Sequence, residues 1–482
     1  MALLLVLLPI LGAATALAIP SNRYRPWILP LTGFTHLLAV IYTMGLPEVE
    51  MFSQALKLDP VGRVFLPYIS LLFFISSCYA PTYLALRVDR DNRVLCTCLQ
   101  LQLGMMTLVV LAHHLGLMWV AIEATTLATT PAIYFNRNPR SLEASWKYML
   151  LCSVGVAIAL LGSFFLAYAA LDKDGHTTLL FDDLVREAHD KLLNRQWLHA
   201  AFLLLFIGYG AKMGLAPMHT WKPDAYGEAP GMHGAILAGG VTSCAFLAIL
   251  RCYHICLAAG DTLFPQRIMI FMGLFSMVLA AISMARQRDL KRILAYSSVE
   301  HMGIIIFGMG IGTQAAIAGA LLHVIHNGLT KGVMFLSAGN IHRAYGSKET
   351  AEISGVLHRL PFSGTMLIAG FFAVTAAPPF ACFVSEFQII SAAFDSKHYI
   401  AGGMFVACLL LVFIGMGAHL VRVCFGTPHE EGQSTGFHDR LGTSLPIAAF
   451  MALVLLLGVY YPPQLQALID SARDFILATK DT

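Results

Sequence analysis

Apolar residues fall along this chain in long runs separated by short polar stretches, and the runs have the length of a bilayer. Windows of about 20 predominantly apolar residues, the length a helix needs to cross the hydrocarbon core, lie near 2–19, 27–45, 64–86, 93–112, 114–135, 147–170, 198–217, 232–257, 266–285, 293–311, 314–341, 361–394, 400–424 and 444–461. They predict about fourteen transmembrane helices. The window 361–394 is too long for one plain span, and its 377-APPF-380 holds a proline pair that must break or kink the helix. The window 198–217 runs straight into 217-PMHTWKPDAYGEAP-230, a second polar, proline-punctuated interruption. Between the windows little remains. The stretch 181-FDDLVREAHDKLL-193 has apolar residues at helical spacing and predicts a short surface helix, and 464–482 carries a similar amphipathic pattern.

Composition agrees with the pattern. Of 482 residues, 57% are hydrophobic and 12% charged, with a mean hydropathy of +0.70, whereas soluble proteins are about 25% charged. The chain therefore reads as an all-α polytopic membrane protein, its surroundings a lipid bilayer. A net charge of +3 without a basic run gives no nucleic-acid signal. The ten cysteines are scattered without zinc, haem or iron–sulfur spacing, so they read as small buried apolar residues. Neither a phosphate loop nor a nucleophile motif occurs, so no catalytic, cofactor-binding or metal-binding residue is assigned. The segment 2–19 resembles a signal peptide but lacks a basic leader and is closely followed by another apolar run, which favours a first transmembrane helix. With the N-terminus outside, 18 of the 31 basic residues, Lys147, Lys222, Arg292 and Lys348 among them, fall in inside loops. Eleven, including Arg251, fall outside, and Lys212 and Lys331 lie within spans. That bias places both termini outside.

The remaining polar residues within spans carry the chemistry. They are Glu123 in 119-WVAIEATTLATT-130, Lys212 in 198-LHAAFLLLFIGYGAKMGLAP-217, His323, His326 and Lys331 in 320-ALLHVIHNGLTKGVMFL-336, and Glu386 in 380-FACFVSEFQII-390. An ammonium near the bilayer centre costs roughly 2.5–3.5 kcal/mol on insertion scales, so these groups should face one another or water. Their types suit proton transfer. A carboxylate beside a buried ammonium keeps it charged, and separating the two favours release of the proton. Glu123 with Lys212 is expected to be that pair, and His323 and His326 are relay candidates between the lysines, with Lys331 at i+8 from His323 on the same helical face. Lys147, His219, Asp224, Glu228 and Ser243 are accessory candidates. Each half of the chain offers one charge beside one broken helix, the sequence sign of inverted transporter repeats.

At these residues a family resemblance emerges. The segments 208-GYGAKMGLAPMHTWKPDAYGEAP-230, 289-DLKRILAYSSVEHMG-303, 320-ALLHVIHNGLTKGVMFLSAGNIH-342 and 383-FVSEF-387 resemble, in order, signatures of the antiporter-like subunits of respiratory complex I and the Mrp cation/proton antiporters. Within that superfamily, residues 119–165 look most like the F component of hydrogenase 4, from the membrane arm of group 4 nickel–iron hydrogenase-type complexes. The resemblance implies fourteen helices in four parts: three N-terminal helices in 1–92, inverted five-helix repeats in 93–257 and 258–425, and a last helix with a short tail in 426–482. It implies broken helices seven and twelve, and proton translocation along a polar axis at mid-membrane. By motif position Glu123, Lys212, His323, Lys331 and Glu386 would be its fifth-, seventh-, eleventh- and twelfth-helix groups, with Glu386 terminal. Iron–sulfur, nickel–iron or flavin centres would sit only in partner subunits: a peripheral redox module and other membrane-arm subunits of a bacterial inner-membrane complex. The transported ion would be the proton, with sodium the other candidate. An Mrp-like antiporter or an ion-coupled module for inorganic carbon uptake is the alternative.

The pattern is not followed throughout. The lysine that many relatives carry on the eighth helix is absent near Ser243, and Tyr226 stands where many have a histidine. The usual Asn-His order reads His326-Asn327, which turns that imidazole by about 100°.

Overall fold

The computed structural model describes residues 1–46, 50–51, 54–87, 90–171, 177–190, 193–426 and 435–478. Three of the eleven basic residues counted outside, Lys173, Lys191 and Lys480, are not among the described residues. The chain is a helical bundle, and each predicted window holds one helix or a pair. The helices are α1 (Ala2–Ala18), α2 (Ile28–Met44), α3 (Pro60–Ala85), α4 (Arg93–Leu111), α5 (Leu115–Ile133), α6 (Pro139–Ala169), α7 (Phe181–His189), α8 (Arg195–Met213), α9 (Trp221–Glu228) and α10 (Gly231–Ile236). A π-helical turn, Leu237–Val241, joins α10 to α11 (Thr242–Ala258). There follow α12 (Leu263–Arg286), α13 (Leu290–Ile311), α14 (Gln314–Tyr345), α15 (Val356–Arg359), α16 (Pro361–Val374), α17 (Ala381–Asp395), α18 (Tyr399–Phe425), α19 (Leu441–Val459) and α20 (Pro463–Leu477).

Among the described residues nine helical stretches are long and apolar enough to cross a membrane, and α1 and α16 are shorter apolar helices. The remaining windows hold helices such as α14, whose polar side chains lower their hydropathy. Both expected breaks are present, between α8 and α9 and between α16 and α17. The amphipathic prediction at 181–193 is realised as α7, which buries Phe181, Leu184 and Ala188.

Local sequence sets the helix ends. Asp59 caps α3 by accepting from Gly62 N, Asn194 caps α8, and Asp289 caps α13 through Lys291 N at 2.9 Å and Arg292 N at 3.1 Å. Gly214 closes α8 with φ +82°, a conformation that side-chain-bearing residues rarely adopt. Small residues set the closest packing. A Cβ at Gly208 would stand 2.6 Å from Ala159 N and Gly155 O, so α6 and α8 touch backbone to backbone. At the centre runs α14, enclosed by α3, α10, α13, α16, α17, α19 and α20. Its residues from Ala316 to Ile341 are all buried, polar ones such as His323 and Lys331 included.

Four basic residues assigned to loops are buried: Arg25, Lys222, Arg251 and Lys291. Lys222 is fully buried on α9, because the proline-rich turn folds back into the bundle as a helix. Arg251 is buried on α11, where Nη2 meets Asp59 Oδ2 at 2.9 Å and Nη1 and Nη2 donate to the carbonyls of Ala112 and Val110 at 2.6 and 2.8 Å. Arg251 thus ties the C-terminal end of α4 to the N-cap of α3.

Candidate functional site

The first half of the site lies where α5, α6 and α8 meet. Lys212, one residue before the last of α8, has no exposed surface, and its Nζ donates to Thr126 Oγ1 and Tyr148 Oη, both at 2.7 Å. Thr126 Oγ1 in turn donates to Glu123 Oε2 at 3.4 Å, while Ser153 Oγ donates to Glu123 Oε1 at 2.6 Å. Glu123 and Lys212 therefore do not form the direct ion pair expected from sequence. Thr126 stands between them, because α5 presents both Glu123 and, one turn on, Thr126 to the same side. A hydroxyl that accepts from an ammonium and donates to a carboxylate can move a proton from one to the other without leaving its place.

The second half is built from α13, α14 and α17. Lys331 Nζ donates to Ser297 Oγ at 2.6 Å. His323 Nε2 lies 2.9 Å from His301 Nδ1, and His323 Nδ1 lies 2.9 Å from Ser385 Oγ, which also meets His326 Nδ1 at 3.1 Å. The shifted register of His326 thus still brings its imidazole to the same hydroxyl as His323. Glu386 Oε1 stands 3.9 Å from His301 Nδ1 and 4.0 Å from His323 Nε2, and neither of its carboxylate oxygens receives a direct hydrogen bond from a described residue. Glu386 is 1% exposed. In this chain it is an interior group facing two imidazoles rather than a group opening onto a surface.

His301, His323 and Glu386 are the one set of three metal-ligand-type residues clustered among the described residues, with ligand atoms within 4.8 Å of one another. The two facing nitrogens already share a hydrogen bond with each other. That is the arrangement of a proton wire, since neutral imidazole donates from one nitrogen and accepts at the other.

Three buried ionisable residues escaped the sequence reading. Glu300 and His301 lie in the window 293–311, where the rule that selected Lys212 applies equally, since both are ionisable groups inside an apolar span. Lys222 gave a weaker signal, because prolines 217 and 223 and the neighbouring polar residues imitate a loop.

The accessory candidates separate into two groups. Lys147, Asp224 and Glu228 form ion pairs: Lys147 with Glu143 at 2.5 Å and Asp224 at 2.9 Å, Asp224 also with Arg292, and Glu228 with Lys348 at 2.5 Å. His219 is buried in the α8–α9 break. Ser243 is buried on α11 and spends its hydroxyl on Gly239 O at 2.5 Å, inside the π-helical turn.

Comparison with known proteins places this geometry. The family described as NADH:quinone oxidoreductase/Mrp antiporter, transmembrane, matches residues 112–416. The hydrogenase-4 component F homolog of Methylacidiphilum infernorum is 32% identical over 95% of this chain and 96% of its own length. Among solved structures, a subunit of the archaeal membrane-bound sulfane sulfur reductase superposes with a TM-score of 0.88 at 20% identity, covering 99% of this chain and 97% of that one. A subunit of the Mrp complex of Dietzia sp. gives 0.85 at 19% identity, covering 98% and 97%. A family match over more than half the chain, joined to near full-length likeness to a hydrogenase-4 component, makes this integral membrane protein a member of the NADH:quinone oxidoreductase/Mrp antiporter family.

Proposed function

We propose that this chain is the proton-translocating, non-catalytic membrane subunit of a redox-driven complex of the hydrogenase-4 or NADH:quinone oxidoreductase kind. One observation carries the reading: buried ionisable side chains, hydrogen-bonded through Thr126, Ser297 and Ser385, gather beside both helix breaks of the bundle. Such groups are costly in hydrocarbon and mark ion paths. Glu123, Thr126 and Lys212 form the gate. Transfer of a proton from Lys212 to Thr126 as Thr126 gives its own to Glu123 neutralises both charged groups, and the reverse step restores them. Lys331, His323, His326, His301 and Glu386 form the relay beyond, where each imidazole passes a proton between its two nitrogens.

The matched hydrogenase-4 component supports assembly with other membrane-arm subunits. On the same reading a peripheral module holds the iron–sulfur, nickel–iron or flavin centres, and a conformational change at a neighbouring subunit biases the gate. The proton is the transported ion, and the complex sits in a bacterial inner membrane with both termini outside. Fourteen crossings, with inverted repeats over 93–257 and 258–425, belong to this reading, supported by one helix break in each half.

The test is purification of the tagged chain from its membranes, identification of the co-purifying subunits by mass spectrometry, and proton flux in reconstituted vesicles. Redox subunits are expected to accompany the chain, and Lys212→Ala or Glu123→Ala should abolish pumping in an assembled complex. Full flux in both variants overturns the proposal. A chain that arrives without redox partners and exchanges a cation for protons is instead an Mrp-like antiporter.

A further inference from the structure

The two halves of the site leave a gap, since Ser243 occupies the place where an eighth-helix lysine is expected and its hydroxyl is bound to backbone. Lys222 lies between them. Its side chain has no exposed surface and crosses Gly214, where a Cβ would stand 2.6–2.9 Å from Lys222 Cδ, Cε and Nζ. Its Nζ donates to Ser298 O at 3.3 Å, and the preceding residue, Ser297, is the acceptor for Lys331. On the other side the neighbouring Trp221 donates to Ala211 O at 2.9 Å, next to Lys212, and packs edge-on against Tyr148, the second partner of Lys212. Lys222 thus neighbours, across the α8–α9 break, residues packed about Lys212, and, on α13, the residue next to the acceptor of Lys331. Its ammonium also lies 5.9 Å from the Tyr226 ring centre. The ionisable groups around it are Lys331 on α14, His301 on α13, Cys152 on α6, and His219 and Tyr226 on its own segment. Among the described residues no carboxylate lies within 4.0 Å of it, so Lys222 is held by backbone and a ring rather than by a fixed counter-ion.

From this geometry we infer that Lys222 is the central proton carrier of this chain, receiving the proton from the Lys212 side and delivering it to Lys331 in place of the absent eighth-helix lysine. The inference rests on the proton-translocating reading above. A lysine suits the task where an arginine does not, because an amine can give up its proton and a guanidinium cannot. Each transfer leaves a neutral amine on the donor and an ammonium on the acceptor, so charge is conserved. The like charge of Lys331 keeps both lysines from holding a proton at low cost together, and drives a stepwise hand-over.

The test uses the full chain in its complex, reconstituted in vesicles, with assembly followed separately. Lys222→Met should lower proton flux about 100-fold, the scale of a lost proton-transfer group. Lys222→Arg, which keeps the charge, should be equally inactive. Lys222→His should retain part of the flux with a pH profile moved to lower pH, since free imidazole titrates near 6.5 and free lysine near 10.4. Flux like that of the unmodified protein in Lys222→Arg, or in an assembled Lys222→Met, overturns the inference. If Lys222→Met does not assemble, the arginine and histidine variants decide. Glu123→Ala and Lys331→Met separate the two proposals. When they lose flux while Lys222→Arg keeps it, Lys222 alone is misassigned; when they too keep it, the proton-translocating reading falls.

Discussion

Thr126 offers the sharpest probe of the gate, because Thr126→Val keeps the shape of the side chain and removes only its hydroxyl. In the native protein that hydroxyl accepts from Lys212 Nζ at 2.7 Å and donates to Glu123 Oε2 at 3.4 Å, so one substitution severs this hydrogen-bonded link between the two charged residues. Lys212 then retains Tyr148, and Glu123 retains Ser153. A hydrogen bond to a charged group contributes about 1.5–3 kcal/mol. If that loss falls on the transfer step, proton flux should drop about 10- to 150-fold. Thr126→Ser, which restores the hydroxyl, should recover most of it. The assay is dye-reported acidification of vesicles, with the thermal midpoint of the same preparations measured alongside. Flux in Thr126→Val within about twofold of the unmodified protein, a difference of only ~0.4 kcal/mol, would refute the view that the hydroxyl joins the pair.

Three further outcomes follow from the same structure. Gly208→Leu forces a side chain into a space where even a Cβ would stand 2.6 Å from backbone, and should cost about 1–3 kcal/mol or more, read as a lower thermal midpoint in detergent. Arg251→Met leaves Asp59 buried without its ionic partner and should cost about 3–5 kcal/mol, read as loss of folded protein, whereas an exposed change such as Arg267→Met should not. On the surface helix α7, the Asp182 carboxyl is held well below its usual range, first by His113, whose Nε2 lies 2.8 Å from Oδ1, and also by Lys57 at 3.0 Å. A depressed acid contributes stability above its unfolded value and loses it only as pH falls through the lower folded one. The contribution of Asp182 to α7 protection in hydrogen exchange should therefore persist as pH falls to the ordinary carboxylate range, fade only below it, and be missing in Asp182→Asn.

What could be read from the chain alone was whatever depends on one-dimensional pattern. Bilayer-length apolar runs, the prolines at 217, 378 and 379, and charges such as Lys212 inside those runs are local facts, and the membrane class, both broken helices and six of the polar residues followed from them. Other assignments required the fold. That Thr126 bridges Glu123 and Lys212 depends on how α5 and α8 are rotated towards each other. That Ser385 joins two imidazoles of α14 depends on which face of α17 meets that helix. The burial of Lys222 depends on α9 folding back under Gly214, although its sequence resembles a loop. A periodicity states which residues share a face, but only packing states what that face meets. In hydrocarbon every polar group must find its partner inside the protein, so those partners, contributed by segments far apart in sequence, turn a set of isolated charges into a site.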